Sequence, residues 1–389
     1  MYALGIGLLL LIAYYIYEYC QHSQNRRKIP LVIHVNGTRG KSSVTRLIAA
    51  GLRAGGKKTM AKTTGSAPRI ILEDGTEVPV IRNFGPNIKE QIKVFKYASL
   101  HGIDALVLEC MAITPEYQWT TEQGMIRSDI GVITNIRLDH DDVMGPGIRN
   151  VAYSICNTIP YHAKAFTCEE KLFPLIQNIA AKRSSQVQLT ASNTISEDYI
   201  RGFSYLEHKE NIALALAVCE ECGVEKDIAL KGMKSVHPDI GATKIFLVSQ
   251  ENKHIYFANC FAANDPESTQ LVIQYVRDMI EAVDFIGMVL NTRTDRMFRS
   301  RELITMLPKF DYDKLYLVGE QISFIKSYAK RQGINPEKIC NLGWVTGEEF
   351  LTTITKCKEK KILLIGIGNI GGNGGIILRY FEEKGKEYV

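Results

Sequence analysis

Pro30 to Ala54 reads PLVIHVNGTRGKSSVTRLIAAGLRA. PLVIHV is a short apolar run of the kind that forms a buried strand, and Val44, Leu47, Ile48 and Leu52 recur at helical spacing from Lys41 onward. Between them lies Gly37, Thr38, Arg39, Gly40, Lys41, Ser42 and Ser43. Strand, glycine-rich turn and helix start are the setting of a phosphate-binding loop. Glycines let the backbone approach phosphate oxygens closely, and free N–H groups at a helix start favour anions. In that arrangement Lys41 meets the β and γ phosphates and Ser42 faces Mg²⁺. The common spacing GxxxxGK[ST] needs glycine at position 35, which is Val35, so this is a shortened variant.

At 389 residues the chain is long enough for two domains of ordinary size. A hydrophobic content of 46% with 23% charged residues describes a globular protein. Lys+Arg 47 against Asp+Glu 42 leaves only +5, spread evenly, which argues against a nucleic-acid partner. The nine cysteines are an odd, scattered set and read as reduced thiols. Cys219 and Cys222 form the one CxxC, at a helix end with no second pair, and read as packing residues.

The amino terminus has a different composition. Tyr2 to Tyr17 reads YALGIGLLLLIAYYIY without a charge, and Arg26, Arg27 and Lys28 follow. This predicts a single membrane anchor with the catalytic body on the cytoplasmic side of the cell membrane. A buried N-terminal helix is the alternative.

From Ile29 onward strands and helices alternate, so the class is α/β with a mostly parallel sheet. Arg69 to Ile81 predicts a hairpin turned at Asp74 and Gly75. Asp104 to Cys110 and Asp129 to Ile136 read as buried strands ending in polar residues, where open α/β sheets place ligands. His237 to Lys244, HPDIGATK, reads as an interdomain linker, followed by a second, smaller α/β domain.

Three places could supply a phosphoryl-transfer site with a metal and an acceptor group. Glu109 ends a strand, either as a Mg²⁺ contact or as a surface acid. Thr134 to Pro146, TNIRLDHDDVMGP, sets Asp139, His140, Asp141 and Asp142 past another strand end; His140 is a metal or phosphate candidate, and loop solubility is the alternative. Lys62 to Ser66 is hydroxyl-rich and reads equally as a substrate loop or a turn.

Together these residues resemble the Mur ligases, which join a carboxylate to an amine at the expense of ATP. GTRGKS stands for that family's GTNGKT, Glu109 follows a strand, TNIRLDHDD resembles its TNIxxDHLD, and HKENIALALA from His208 resembles its asparagine-centred helix. Within the family the chain is similar to the poly-γ-glutamate synthase branch. The apolar N-terminus, the missing N-terminal substrate domain, ECMAITPEYQ, NTRTDRMFRS and the glycine-rich C-terminal stretch carry that likeness.

The resemblance implies a P-loop Mur-ligase-like central domain with a parallel sheet and a smaller Rossmann-like C-terminal domain, preceded by one transmembrane helix. The corresponding segments are 1–27, 28–240 and 241–389. It implies ATP and Mg²⁺ as cofactors, with glutamate and a growing poly-γ-glutamate chain as substrates. Membrane subunits of the PgsC/CapC and PgsA/CapA kind are the implied partners, and a homo-oligomer is open. An acyl phosphate would form at the chain's carboxylate and release ADP, and the next glutamate's amine would displace phosphate. Lys41, Glu109 and His140 would be catalytic, with Ser42, Glu109 and His140 on the metal. Asn211 matches the adenine-side asparagine, and Asp295 and Arg296 match a loop that closes over the nucleotide, with surface ion pairing as the alternative. Other Mur-like ligases, of the folylpolyglutamate or wall-precursor type, and a membrane-tethered P-loop switch or motor are the competing functions.

The chain departs from the family pattern in three places. The interval after the DH motif lacks the lysine that many members carbamylate, and Lys164 comes late. The linker arginine is replaced by Ala242, with Lys244 nearby. NCFAANDP stands for DYAHNP, with Asn259 and Ala263 in place of Asp and His. Gly366, Gly368 and Gly371 spell GxGxxG, but a dinucleotide site needs a further strand and acid about 20 residues on, so these glycines read as tight packing or as contact with a substrate carboxylate.

Overall fold

The computed structural model describes residues 2–388 except 65–67, 83–84, 201–202, 204–206, 237–242, 251, 262, 264–265 and 281. The chain divides into two compact units, one comprising Met1–Phe203 and Glu207–His237, the other in the main Pro238–Val389. Most of the expected linker, 237–242, lies outside the described residues.

The first unit is built on an eight-stranded sheet. Its strands in chain order are β1 Leu31–Asn36, β2 Thr59–Lys62, β3 Arg69–Ile71, β4 Glu77–Pro79, β5 Ala105–Glu109, β6 Ile130–Ile133, β7 Lys164–Thr167 and β8 Gln186–Leu189. They lie in the order β4-β3-β2-β5-β1-β6-β7-β8. β1 sits between β5 and β6 and pairs in parallel with both, so its residues are buried on both faces, which is why they read as an unbroken apolar run. Its neighbours bring Glu109 and Thr134 to the same end of the sheet as the glycine-rich turn. The expected hairpin forms as the antiparallel pair β3–β4, where Gly75 takes φ +90 and Asp74 accepts from Thr76 N at 2.8 Å. Lys41–Ala54 forms the helix after the turn and buries Val44, Leu47, Ile48 and Leu52.

The second unit carries β9 Ile245–Gln250, β10 Lys253–Asn259, β11 Phe285–Thr292, β12 Lys314–Gly319, β13 Ile339–Gly343, β14 Lys361–Gly368 and β15 Lys386–Glu387. Their order is β13-β12-β11-β14-β10-β9-β15, with the pairs among β10 to β14 parallel and β9 and β15 added antiparallel. One face is closed by Phe257 and Phe381, stacked with ring centroids 4.4 Å apart. Gly368, at φ +101, sits where a Cβ would lie 2.6 Å from the Asn291 carbonyl, so the GxGxxG run serves close strand packing there.

The transmembrane anchor expected over residues 1–27 requires correction. Tyr2–Arg27 is one continuous helix, α1, but among the described residues no helix is long and apolar enough to cross a membrane. The uncharged run Tyr2 to Tyr17 spans about 24 Å at a rise of about 1.5 Å per residue. A hydrocarbon core of about 30 Å is longer than that. The rest of α1 is docked on the first unit. Glu18 pairs with Lys89 at 3.2 Å, and His22 is buried with its ring edge-on to Phe95. Arg26, expected as a flanking charge at a membrane, instead donates to the Ile126 and Arg127 carbonyls and pairs with Asp129 at 2.8 Å.

Candidate nucleotide site

The turn after β1 is shaped by its two glycines. Gly37 takes φ +139 and Gly40 takes φ +76, a left-handed backbone that favours glycine. Each is also hemmed in: a Cβ on Gly37 would lie 2.1 Å from Thr134 Oγ1, and one on Gly40 would lie 2.6 Å from Asn211 Oδ1. The 134–137 segment holds the loop from one side. Thr38 N donates to the Asn135 carbonyl at 2.9 Å, Arg39 N donates to Asn135 Oδ1 at 3.1 Å, and Thr134 Oγ1 donates to the Arg39 carbonyl at 2.5 Å. Arg137 N donates to Thr38 Oγ1 at 2.9 Å.

Lys41 folds over this loop and donates to the Gly37 carbonyl at 2.7 Å and the Thr38 carbonyl at 3.2 Å. Burial pulls its ammonium below the usual lysine range, and the Glu109 carboxylate opposes the shift. A cation resting on the carbonyls of a glycine-rich turn at a helix start is the kind of device that receives a chain of phosphates. Ser42 Oγ donates to Glu109 Oε2 at 2.8 Å, and the same oxygen accepts Thr64 N at 2.7 Å. Serine hydroxyl and buried carboxylate therefore meet beside the loop, oxygen donors of the type a hard divalent cation takes.

The remaining candidates fall around this centre. Asp139 pairs with Arg39 of the loop at 3.3 Å, which ties the DHDD segment to the phosphate turn. His140 follows in a left-handed conformation, φ 51, with Nε2 4.0 Å from Asp139. Among the described residues no group of three or more His, Cys, Asp and Glu side chains forms a ready metal cage. Asn211, at the start of the helix Lys209–Glu221, lies against Gly40 and donates to Glu207 at 2.7 Å. Lys164 pairs with Glu221 at 2.6 Å on the surface. Cys219 is buried and donates to the Ile48 carbonyl, and burial pushes its thiol up, as expected for a packing residue. Residues 65–67, part of the expected hydroxyl loop, lie outside the described residues.

In the second unit Asp295 and Arg296 lie in the short turn after β11. Arg293 pairs with Asp295 at 2.9 Å, and Arg296 stands 4.0 Å from it, so the group is at least a surface ion cluster. Asn259 is buried at the end of β10.

Some residues of the site went unread in the sequence. Thr134 and Asn135 were visible only as letters of a motif, although they grip the loop directly. Lys62, read in the sequence only as the first residue of a hydroxyl-rich loop, is fully buried at the end of β2, 3.1 Å from Glu90, which also takes Arg82. Burial holds Lys62 below the usual lysine range, with Glu90 opposing. His34 is fully buried in β1 and donates from Nδ1 to Glu122 at 2.7 Å; its one signal was a lone polar residue in an apolar strand.

Burial alone would lower His34, but hydrogen bonding to Cys110 and Glu122 more than reverses it, leaving the imidazole raised from 6.5 to about 9. A group raised on folding contributes stability that is full below the unfolded value and lost as pH climbs through the folded one. The melting temperature is therefore expected to fall between pH 6.5 and about 9. A His34→Gln variant should show a smaller decline over that window in a pH series of thermal melts, and an equal decline would remove the ion pair as its cause.

Residues 35–237 match the family model of the Mur ligase middle domain, and residues 245–384 match that of the poly-gamma-glutamate synthase CapB C-terminal domain. The chain is 36% identical over 376 residues to the capsule biosynthesis protein CapB of Bacillus anthracis, covering 96% of this chain and 81% of that one. It is 32% identical over 394 residues to the PGA synthase CapB of Bacillus subtilis strain 168, covering 100% of both. Among solved structures, folylpolyglutamate synthase of Mycobacterium tuberculosis, complexed with ADP and AMPPCP, has the same fold. It superposes with a TM-score of 0.69 at 16% identity, covering 98% of this chain and 100% of that one.

Proposed function

The chain belongs to the Mur ligase family, in its CapB branch, and from that membership we propose that it is the ATP-dependent ligase that polymerises glutamate through γ-amide linkages in capsule synthesis. The observation that carries this reading is the joining of the loop Gly37–Ser42 to Glu109 and the 134–139 segment in one hydrogen-bonded site. The carboxylate of the growing chain takes the γ-phosphoryl group of ATP, giving an acyl phosphate and ADP, and the amine of the next glutamate displaces phosphate.

Gly37, Thr38, Arg39, Gly40, Lys41, Ser42 and Ser43 form the phosphate cradle. Lys41 leaves the loop carbonyls and neutralises the transferring phosphoryl group, while loop amides hold its oxygens. Ser42 and Glu109 present oxygens that fit a divalent cation, and with His140 they would hold Mg²⁺, which when bound screens the phosphates and polarises the phosphoryl group. Asn211 packs against Gly40, and family membership would set it on the adenine side of the nucleotide. Asp295 and Arg296 are proposed as nucleotide-binding residues on the strength of family membership alone. A switch or motor of the P-loop kind needs no amino-acid substrate, and the CapB C-terminal domain weighs against it.

The exposed apolar half of α1, with Leu9 at 67% and Tyr17 at 60% exposure, suits a membrane-associated enzyme. Tyrosines 14, 15, 17 and 19 are the side chains that settle at a lipid interface. The catalytic body then works on the cytoplasmic face beside membrane subunits of the CapC and CapA kind, which would carry the anionic polymer outward. Membranes holding the full protein, given ATP, Mg²⁺ and labelled glutamate, are expected to make a protease-resistant polymer. Label found only in free glutamate, with the partner subunits present, would reject this function.

A further inference from the structure

Thr120–Ile126 is a π-helix, a form that is rare beyond a single turn and concentrates at functional sites. It runs between the docked half of α1 and the strand that feeds the phosphate loop. Helix ends leave carbonyls in need of donors, and here α1 supplies them. His22 Nε2 donates to the Met125 carbonyl at 2.7 Å, and Arg26 donates to the Ile126 carbonyl at 2.8 Å and the Arg127 carbonyl at 2.7 Å.

The inner side of the same segment grips β1 at three levels. Asp129, which pairs with Arg26, also accepts Val32 N at 2.7 Å. Glu122, fully buried and held by Ser128 N and Oγ at 2.9 Å each, takes the His34 imidazole. Asn36 Nδ2 donates to Gln118 Oε1 at 2.9 Å, and Asn36 Oδ1 accepts Gly37 N at 2.8 Å, the first peptide of the loop. Polar contacts thus tie the segment from Gln118 to Asp129 to β1 at three separate levels, the last of them beside the phosphate turn.

We propose that the docking of α1 sets the position of the phosphate loop, with Arg26, Glu122 and His34 as positioning residues, so that undocking α1 weakens nucleotide binding. The element with two states is the π-helix. Relaxing to α-helical bonding shifts its register by one residue, about 100° around the axis, and carries Glu122 off His34. The caps from α1 hold it in the wide form. Because the other half of α1 is exposed and apolar, whatever seats that half also bears on the ATP site. The inference rests on Gly37–Ser42 being the nucleotide loop.

The test is ADP binding to the full-length protein by calorimetry, with Arg26→Gln, Glu122→Gln and the double variant. Wild-type protein should bind ADP, and each single variant should bind it roughly 5-fold or more weakly. The double variant should be no weaker than the worse single one, since both act on one path. In turnover the KM for ATP should rise while kcat changes by less than about twofold. Arg26→Lys, keeping a donor, should recover part of the affinity, and His22→Gln should lose a smaller part. Unchanged ADP affinity in folded Arg26→Gln and His22→Gln proteins, or multiplicative losses in the double variant, would overturn the coupling alone. Wild-type protein that does not bind ADP would instead remove the nucleotide loop on which the coupling stands.

Discussion

Replacing Lys41 by alanine is expected to lower turnover by roughly a thousandfold or more while leaving the fold intact, because charge neutralisation at a transferring phosphoryl group is worth factors of that size. The loop keeps its shape without the lysine. Its geometry is set by the left-handed glycines, by Thr134 and Asn135 on one side and by Asn211 on the other. Lys41 contributes bonds to the Gly37 and Thr38 carbonyls, and water can replace both. The variant should therefore melt close to wild type and still bind ADP, with the loss concentrated in kcat. Full turnover by a folded Lys41→Ala protein would exclude this loop as the seat of the chemistry.

Glu109→Gln is expected to cost roughly a hundred- to a thousandfold in kcat, comparable to deleting a preorganised electrostatic group. One carboxylate oxygen serves two donors, Ser42 Oγ and Thr64 N; an amide nitrogen in its place could be accepted by the serine hydroxyl but not by Thr64 N. Glutamine can keep its oxygen toward one or both of them, so the loop stays in place, but the negative charge is gone. The Mg²⁺ concentration needed for half-maximal rate should rise, and the melting temperature should change little. Titrating Mg²⁺ at saturating ATP separates the outcomes: a normal metal requirement with lost stability would make Glu109 a structural acid.

The strand, turn and helix of the phosphate site were legible because their signals are local. Hydrophobic spacing marks β1 and the helix at Lys41, and the glycine positions mark the turn. The Asp74–Gly75 hairpin was legible for the same reason. Glu109 and the DHDD segment could be placed at strand ends, but their approach to the loop depends on β1 lying between β5 and β6, a long-range order that spacing does not encode.

The amino terminus shows where local reading fails. Its uncharged run dominates any hydropathy argument, yet the fate of the helix is decided by His22 and Arg26 meeting partners about a hundred positions away. Nothing near Arg26 distinguishes a membrane-flanking charge from a helix cap. The π-helix was equally hidden, since its residues carry no composition of their own and its form depends on the donors that α1 brings. The Asn36–Gln118 and His34–Glu122 bonds depend on that element and were invisible with it.

The most direct measurement is the nucleotide product released by the full-length protein in its membrane as glutamate is added. ADP and phosphate should form in proportion to γ-amide bonds and fall to background without glutamate. AMP and pyrophosphate as products, or ATP hydrolysis that proceeds as fast without glutamate, would contradict an acyl-phosphate ligase built on Gly37–Ser42.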